Sequence, residues 1–258
     1  MSEKTVLVQK TDGIATLVLN RPQVLNAMNP ELIQALQEAL DQIETDDSIR
    51  VVVVKGAGDN FCSGADVSLF AENLSPIEWL EGMKRAGRTV QKMREIPQPI
   101  ITLLRGVAVG GGANLALAAD FVLTADNARF CEIFINIGLI LDYGGNYFLP
   151  RLVGLAKARE LAMLGEEIDG KTAASIGLVY KSVPEEKLEQ EVETLAHKLA
   201  QKPLAALSLI KKGLDISFDK SLKEMLDWEA SHQAIMLQTR EHKEIIQFFL
   251  ESKKKNKD

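Results

Sequence analysis

Gly106-Val-Ala-Val-Gly-Gly-Gly-Ala-Asn-Leu-Ala-Leu-Ala-Ala-Asp120 reads as a strand, a glycine turn and the start of a short apolar helix. Three successive glycines let a ligand approach the main chain, because no Cβ stands in the way. The first amides of such a helix lack intrahelical acceptors, and the positive end of the helix dipole favours an oxygen that is gaining negative charge. This points to chemistry on a carbonyl. Tight helix–strand packing is the other use of such a run.

Outward from this stretch, residues 100–104 form an apolar strand leading into the turn. Helix over about 113–119 then gives way to a strand at 121–124. Residues 51–54, four valines, predict a strand buried on both faces. Residues 6–9 and 14–20 flank Asp12-Gly13 as a hairpin. Asn29 and Pro30 predict a helix start, followed by the buried stripe Ile33, Leu36, Leu40 and Ile43. Residues 76–94 are helical in composition. Strands and helices alternate, so the fold class is α/β in layers. From about Glu185 strand signals cease, and 188–201, 204–214 and 222–250 read as helices. Their apolar stripe needs a core of its own or a neighbouring subunit.

A chain of 258 residues with 46% hydrophobic and 26% charged content is long enough to bury a substantial core. A formal net charge of −6 argues against a nucleic-acid binder. The basic tail 253–258 reads as a solvated, disordered terminus. Cys62 and Cys131 imply neither a disulfide framework nor a metal site, and His197, His232 and His242 lie far from the glycine turn. With no membrane-length apolar run and no signal-like start, the expectation is a cytoplasmic protein that binds neither membrane nor metal.

A second glycine-bearing loop, Asn60-Phe-Cys-Ser-Gly-Ala-Asp-Val67, follows the valine strand. Paired strand-end loops of this kind can aim two amides at one point, and Asp66 reads as a helix cap. Gly165-Glu-Glu-Ile-Asp-Gly-Lys-Thr172 satisfies the phosphate-loop pattern GxxxxGK[ST]. Its context is wrong: 158–164 is helical in composition, and Glu166, Glu167 and Asp169 place three negative charges where a polyphosphate would sit.

Five segments together resemble the crotonase superfamily, also called the enoyl-CoA hydratase/isomerase family. They are Asn20-Arg-Pro-Gln-Val-Leu-Asn-Ala27, Phe61-Cys-Ser-Gly-Ala-Asp66, Gly110-Gly-Gly-Ala-Asn-Leu-Ala-Leu-Ala-Ala-Asp120, Gly138-Leu-Ile-Leu-Asp-Tyr-Gly-Gly145 and Leu149-Pro-Arg-Leu-Val-Gly154. The resemblance implies a spiral of repeated β-β-α units over residues 1–195 and a helical oligomerisation region over 196–258, in a homotrimer or dimer of trimers. It implies an acyl-CoA substrate in fatty acid metabolism, with CoA arriving as part of that substrate and no separate cofactor. By motif position, the amides of Ala65 and Gly111 are the oxyanion-hole donors. Removing one donor of this sort costs about 2.7–4 kcal/mol of transition-state stabilisation. Val24, Leu25, Ala27, Ser63, Gly110, Asn114 and Phe134 fall at substrate-binding positions. Lys211 and Lys212 suit CoA phosphates or, more simply, a solvated helix face.

Family members that add water carry two glutamates, where this sequence has Asn114 and Phe134. Neither an amide nor a phenyl ring can take a proton from water. Asp142 resembles the aspartate that isomerase-type members place in this loop; a turn-capping role is its other reading. In an apolar site beside Phe134 and Leu141 its pKa should rise, suiting a group that takes and returns a proton. Asn114 is read as orienting substrate or Asp142 by hydrogen bonding, or as a plain helix-surface or packing residue. Glu132 is expected about 6.5 Å from Phe134 along an extended segment, too far for direct exchange. The residues favour an enoyl-CoA isomerase. A hydratase (a lyase) using Glu132 or Asp142 and a catalytically silent acyl-CoA-binding subunit are the alternatives.

Overall fold

The computed structural model describes residues 4–255, which divide after Gln201 into two compact units. In the first unit, β1 (Val6–Thr11) and β2 (Ile14–Leu19) form the expected antiparallel hairpin. Asp12 and Gly13 both have positive φ, as a two-residue hairpin turn requires. Helix α1 (Pro30–Glu44) begins as its sequence predicts, with Asn29 Oδ1 accepting from the Leu32 N–H at 2.9 Å. There follow β3 (Val51–Gly56), α2 (Pro76–Glu95), β4 (Ile100–Leu104), β5 (Val107–Val109), α3 (Gly111–Leu117), β6 (Phe121–Ala125) and β7 (Arg129–Cys131). The unit closes with α4 (Gly145–Leu164, interrupted at Gly154), β8 (Glu167–Asp169), α5 (Gly170–Ser175), β9 (Lys181–Val183) and α6 (Glu185–Ala200).

Six strands make one sheet in the order β1-β2-β3-β4-β6-β9, parallel from β2 onward. Val51, Val52, Val53 and Val54 are buried at its centre, as a parallel strand covered on both faces demands. A second sheet, β5-β7-β8, lies along the chain's return path. The chain thus spirals: β4 leads to β5 and then α3, and β6 leads to β7 and then α4. A rudimentary first turn runs from β3 to Cys62, which bridges Ala108 of β5 in parallel, and on to α2. This is an α/β spiral of β-β-α turns. Each turn carries the chain from large sheet to small sheet to helix, so the loops ahead of the helices gather at one place.

Helix α6 belongs to the first unit because Leu188, Val192 and Ala196 are buried in its core. The expected boundary at 195/196 lies inside this helix. The second unit comprises α7 (Leu204–Ile216), α8 (Leu222–Met236) and α9 (Arg240–Lys255). The single helix expected over 222–250 is broken after Met236, where Thr239 Oγ1 accepts from the His242 N–H at 3.3 Å and starts α9. Lys253, expected in a disordered tail, is helical and lies 4.5 Å from the Phe249 ring centre; 256–258 fall outside the described residues. Apolar residues remain exposed on this unit, among them Ile210, Leu214, Phe218 and Leu222. No helix among the described residues is long and apolar enough to cross a membrane.

Candidate active site

Two strand-end loops meet at the site. The loop after β3 is stitched to β5 by Cys62 N–H donating to Val107 O (3.0 Å) and Val109 N–H donating to Cys62 O (3.1 Å). It is held on its other side by Met28, whose N–H donates to Gly64 O (2.7 Å) and whose carbonyl accepts from Asp66 N–H (2.9 Å). Gly64 sits at φ +95°, and a Cβ there would come 2.7 Å from Val109 O and 3.8 Å from the Gly111 nitrogen. Only glycine permits this approach, and it sets Ala65 and Gly111 on adjoining loops. Neither the Ala65 nor the Gly111 N–H finds an acceptor among the described residues. The Gly110 N–H, by contrast, is already donated to Cys131 O at 2.8 Å. A Cβ on Gly112 would meet Cys62 O at 2.5 Å and its Sγ at 2.8 Å, so the thiol packs under the start of α3. Burial pushes the Cys62 thiol up to about 12.

The residues expected to receive CoA come together beside Ala65. Ser63 donates its N–H to Leu25 O (3.0 Å) and its hydroxyl to Val24 O (3.3 Å). Leu25 and Asn26 take left-handed conformations, and the buried Asn26 amide holds the turn by donating to Ala57 O and Asn60 O. Ala27 is buried, whereas Val24 and Leu25 present exposed side chains. Arg21 donates to Ala27 O at 2.6 Å and pairs with Asp66 at 2.8 Å, tying this loop to the next. Asp66 also caps the short 3-10 helix Val67–Ala71 through the Ser68 N–H, the structural role its position suggests. Of the two lysines in α7, Lys211 is buried and only Lys212 is exposed, so a solvated pair is not what the fold provides.

The carboxyl groups gather around Asn114 of α3. Asn114 is fully buried, which removes a helix-surface role. Its Nδ2 donates to Glu132 Oε2 at 3.2 Å and to the main-chain carbonyl of Asp142 at 3.0 Å. Phe134 is buried with its ring edge beneath Gly110. Asp142 is half-buried, with Oδ1 sealed from solvent and without a hydrogen-bond partner among the described residues. Burial raises its pKa to about 6.

Glu132 departs from the expectation. The strand ends at Cys131, and Glu132 (φ −86°, ψ 65°) heads the 3-10 helix Ile133–Ile137, so no extended segment separates it from the site. The carboxyl turns onto Asn114, 1% exposed. Burial first, and the nearby Asp142 charge as well, raise its pKa to about 8 against the lowering effect of the Asn114 bond. Tyr143 was not anticipated at all. It holds φ +46°, and its ring would lie 3.0 Å from a Cβ on Gly111. A bulky residue ahead of two glycines is the one signal its sequence offers.

The phosphate-loop look-alike is a different object. Gly165 ends α4, Glu167–Asp169 is the antiparallel edge strand β8, and Asp169 caps α5 by accepting the Thr172 N–H at 2.7 Å. A carboxylate already occupies the place of a phosphate. Among the described residues no group of three His, Cys, Asp or Glu is placed to hold a metal ion.

A family model described as enoyl-CoA hydratase/isomerase matches residues 9–257. The chain is 35% identical over 250 residues to 1,2-epoxyphenylacetyl-CoA isomerase of Escherichia coli K12, covering 95% of each protein. It is 30% identical over 257 residues to crotonyl-CoA hydratase of Syntrophomonas wolfei, covering 99% of this chain and 98% of that one. The crystal structure of an enoyl-CoA hydratase from Bacillus anthracis superposes with a TM-score of 0.92 at 30% identity, covering 96% of both chains.

Proposed function

The chain belongs to the enoyl-CoA hydratase/isomerase family, and on that footing we propose that it shifts the carbon–carbon double bond of an enoyl-CoA. The thioester oxygen rests on the Ala65 and Gly111 amides. Asp142 removes a proton from C2 of a 3-enoyl-CoA, the negative charge spreads onto the oxygen, and the same carboxyl returns the proton at C4 to give the conjugated 2-enoyl ester. One carboxyl serves both half-steps, and the balance requires no redox cofactor.

The observation that carries this reading is the distribution of acids around α3. The positions facing the glycine turn hold an amide, Asn114, and a buried ring, Phe134. The half-buried Asp142 keeps an oxygen unpartnered among the described residues and a pKa raised by burial to about 6. Such a group is mostly ionised at neutral pH yet still basic enough to exchange a proton.

Product analysis in deuterated water tests it. A 3-enoyl-CoA should become the 2-enoyl isomer, and D142N should lower kcat by about 10²–10⁴-fold. The rate should fall as pH drops through about 6, where the carboxylate is lost. A D142N variant as fast as the parent removes Asp142 as the base. Water addition is the second reading, favoured by the Glu132 carboxyl that Asn114 holds at the site. It predicts rapid conversion of crotonyl-CoA to a 3-hydroxy product.

A further inference from the structure

Glu132 is a carboxyl that the proton shift leaves unused. No other aspartate or glutamate among the described residues is so deeply buried. An acid in such a place needs partners, and its bond comes from Asn114 Nδ2. That nitrogen has two hydrogens; the second goes to the Asp142 carbonyl. The amide has little room to turn, because a Cβ on Gly145 would already sit 2.5 Å from Nδ2 and 2.8 Å from Oδ1. One side-chain amide therefore joins the Glu132 carboxyl to the main chain of the base. Three acceptor oxygens in this cluster, Asn114 Oδ1, Glu132 Oε1 and Asp142 Oδ1, are buried without a partner among the described residues. A cluster short of donors favours an un-ionised Glu132, whose O–H adds one.

We propose that Glu132 is a positioning residue: as a neutral acid it fixes the Asp142 loop through the Asn114 amide, and once ionised it opposes the proton transfer. This rests on Asp142 being the base. The groups around Glu132 agree with the assignment. Asp142 faces it from the loop ahead of α4, and Asn114 from α3. The adjacent Cys131 thiol is raised by burial and stays neutral, as does the Tyr143 phenol beside Asp142. Among the described residues, no Lys, Arg or His contributes to the shift at Glu132. With Asp142 near 6 and Glu132 near 8, a rising pH ionises the base first. Between the two values the base is charged and Glu132 is not. Above about 8 a second negative charge arrives beside the developing enolate, which disfavours its formation.

Two measurements decide this. In the pH dependence of kcat on a 3-enoyl-CoA, the parent should lose activity on both sides of the 6–8 window. E132Q keeps a neutral hydrogen-bonding group. It should stay within about 3-fold of the parent at pH 7 with unchanged KM, and should lose the alkaline decline. E132A, which frees Asn114, should lower kcat about 10–100-fold, the scale of a misplacement near 1 Å. The second measurement needs no turnover: ¹³C titration of the Asp142 carboxyl, assigned by its loss in D142N. It should show steps near 6 and near 8 in the parent and only the first in E132Q. An E132Q enzyme that retains the alkaline decline or the second carboxyl step overturns the proposal, as does parental kcat in E132A. Undiminished turnover in D142N would instead sink the base assignment, while the titration still reports whether Glu132 and Asp142 are coupled.

Discussion

The turn at Gly110–Gly112 and the turn at 165–172 both set glycine ahead of a short helix, yet their amides meet different fates. Gly110 caps α3 without a side chain, and the Gly111 N–H is left without an acceptor among the described residues. In the second turn the residue at the cap is Asp169, whose carboxylate takes the Thr172 N–H. Both segments satisfy a glycine pattern, but a helix start receives a ligand's oxygen only where the protein has not filled that place itself. The residue at the cap therefore tells more than the glycines around it.

Turnover depends most on the first of these turns. G111P deletes an amide hydrogen at the first helical position, where proline is tolerated. It should lower kcat/KM about 10²–10³-fold. G111A places the same Cβ against Tyr143 and Met28 but keeps the N–H, and should lose far less. Equal losses in the two variants would mean that crowding, not the amide, matters. D169A should have a smaller effect and of another kind. Losing the cap costs about 1 kcal/mol, a fall in Tm of about 2–4 °C for a chain of this size, with kcat unchanged. A drop in turnover there would tie the second turn to the site. The smallest expectation is no shift at all: millimolar ATP should leave Tm where it is, and an ATP-dependent rise would restore the phosphate-loop reading.

The sequence makes the large sheet legible wherever a strand is long enough to show its burial, as in the four valines of β3 or the run of β4. Of the three-residue strands, β5 is legible beside the glycine turn, whereas β7, β8 and β9 are not, because three residues carry no periodicity and their partners are remote. The caps at Asn29 and Asp66 could be read because their chemistry is local. Glu132 could not. Its contact with Asn114 spans eighteen positions and depends on the strand stopping at Cys131, three residues short of the extended reading through Phe134. Helix α6 shows the same limit at the scale of a domain boundary. Its buried face looks like those of other amphipathic helices, and only the packing of Leu188, Val192 and Ala196 assigns it to the first unit.

The Cys62 thiol under α3 bears on the chemical safety of a site proposed to hold acyl thioesters. A nearby sulfur anion would attack the substrate carbonyl and carry the acyl group off as a protein adduct, ending the catalytic cycle. With its pKa driven to about 12 by complete enclosure, Cys62 offers almost no such nucleophile at neutral pH. The packing that lets two loops converge also keeps transthioesterification from competing with the proposed proton shift.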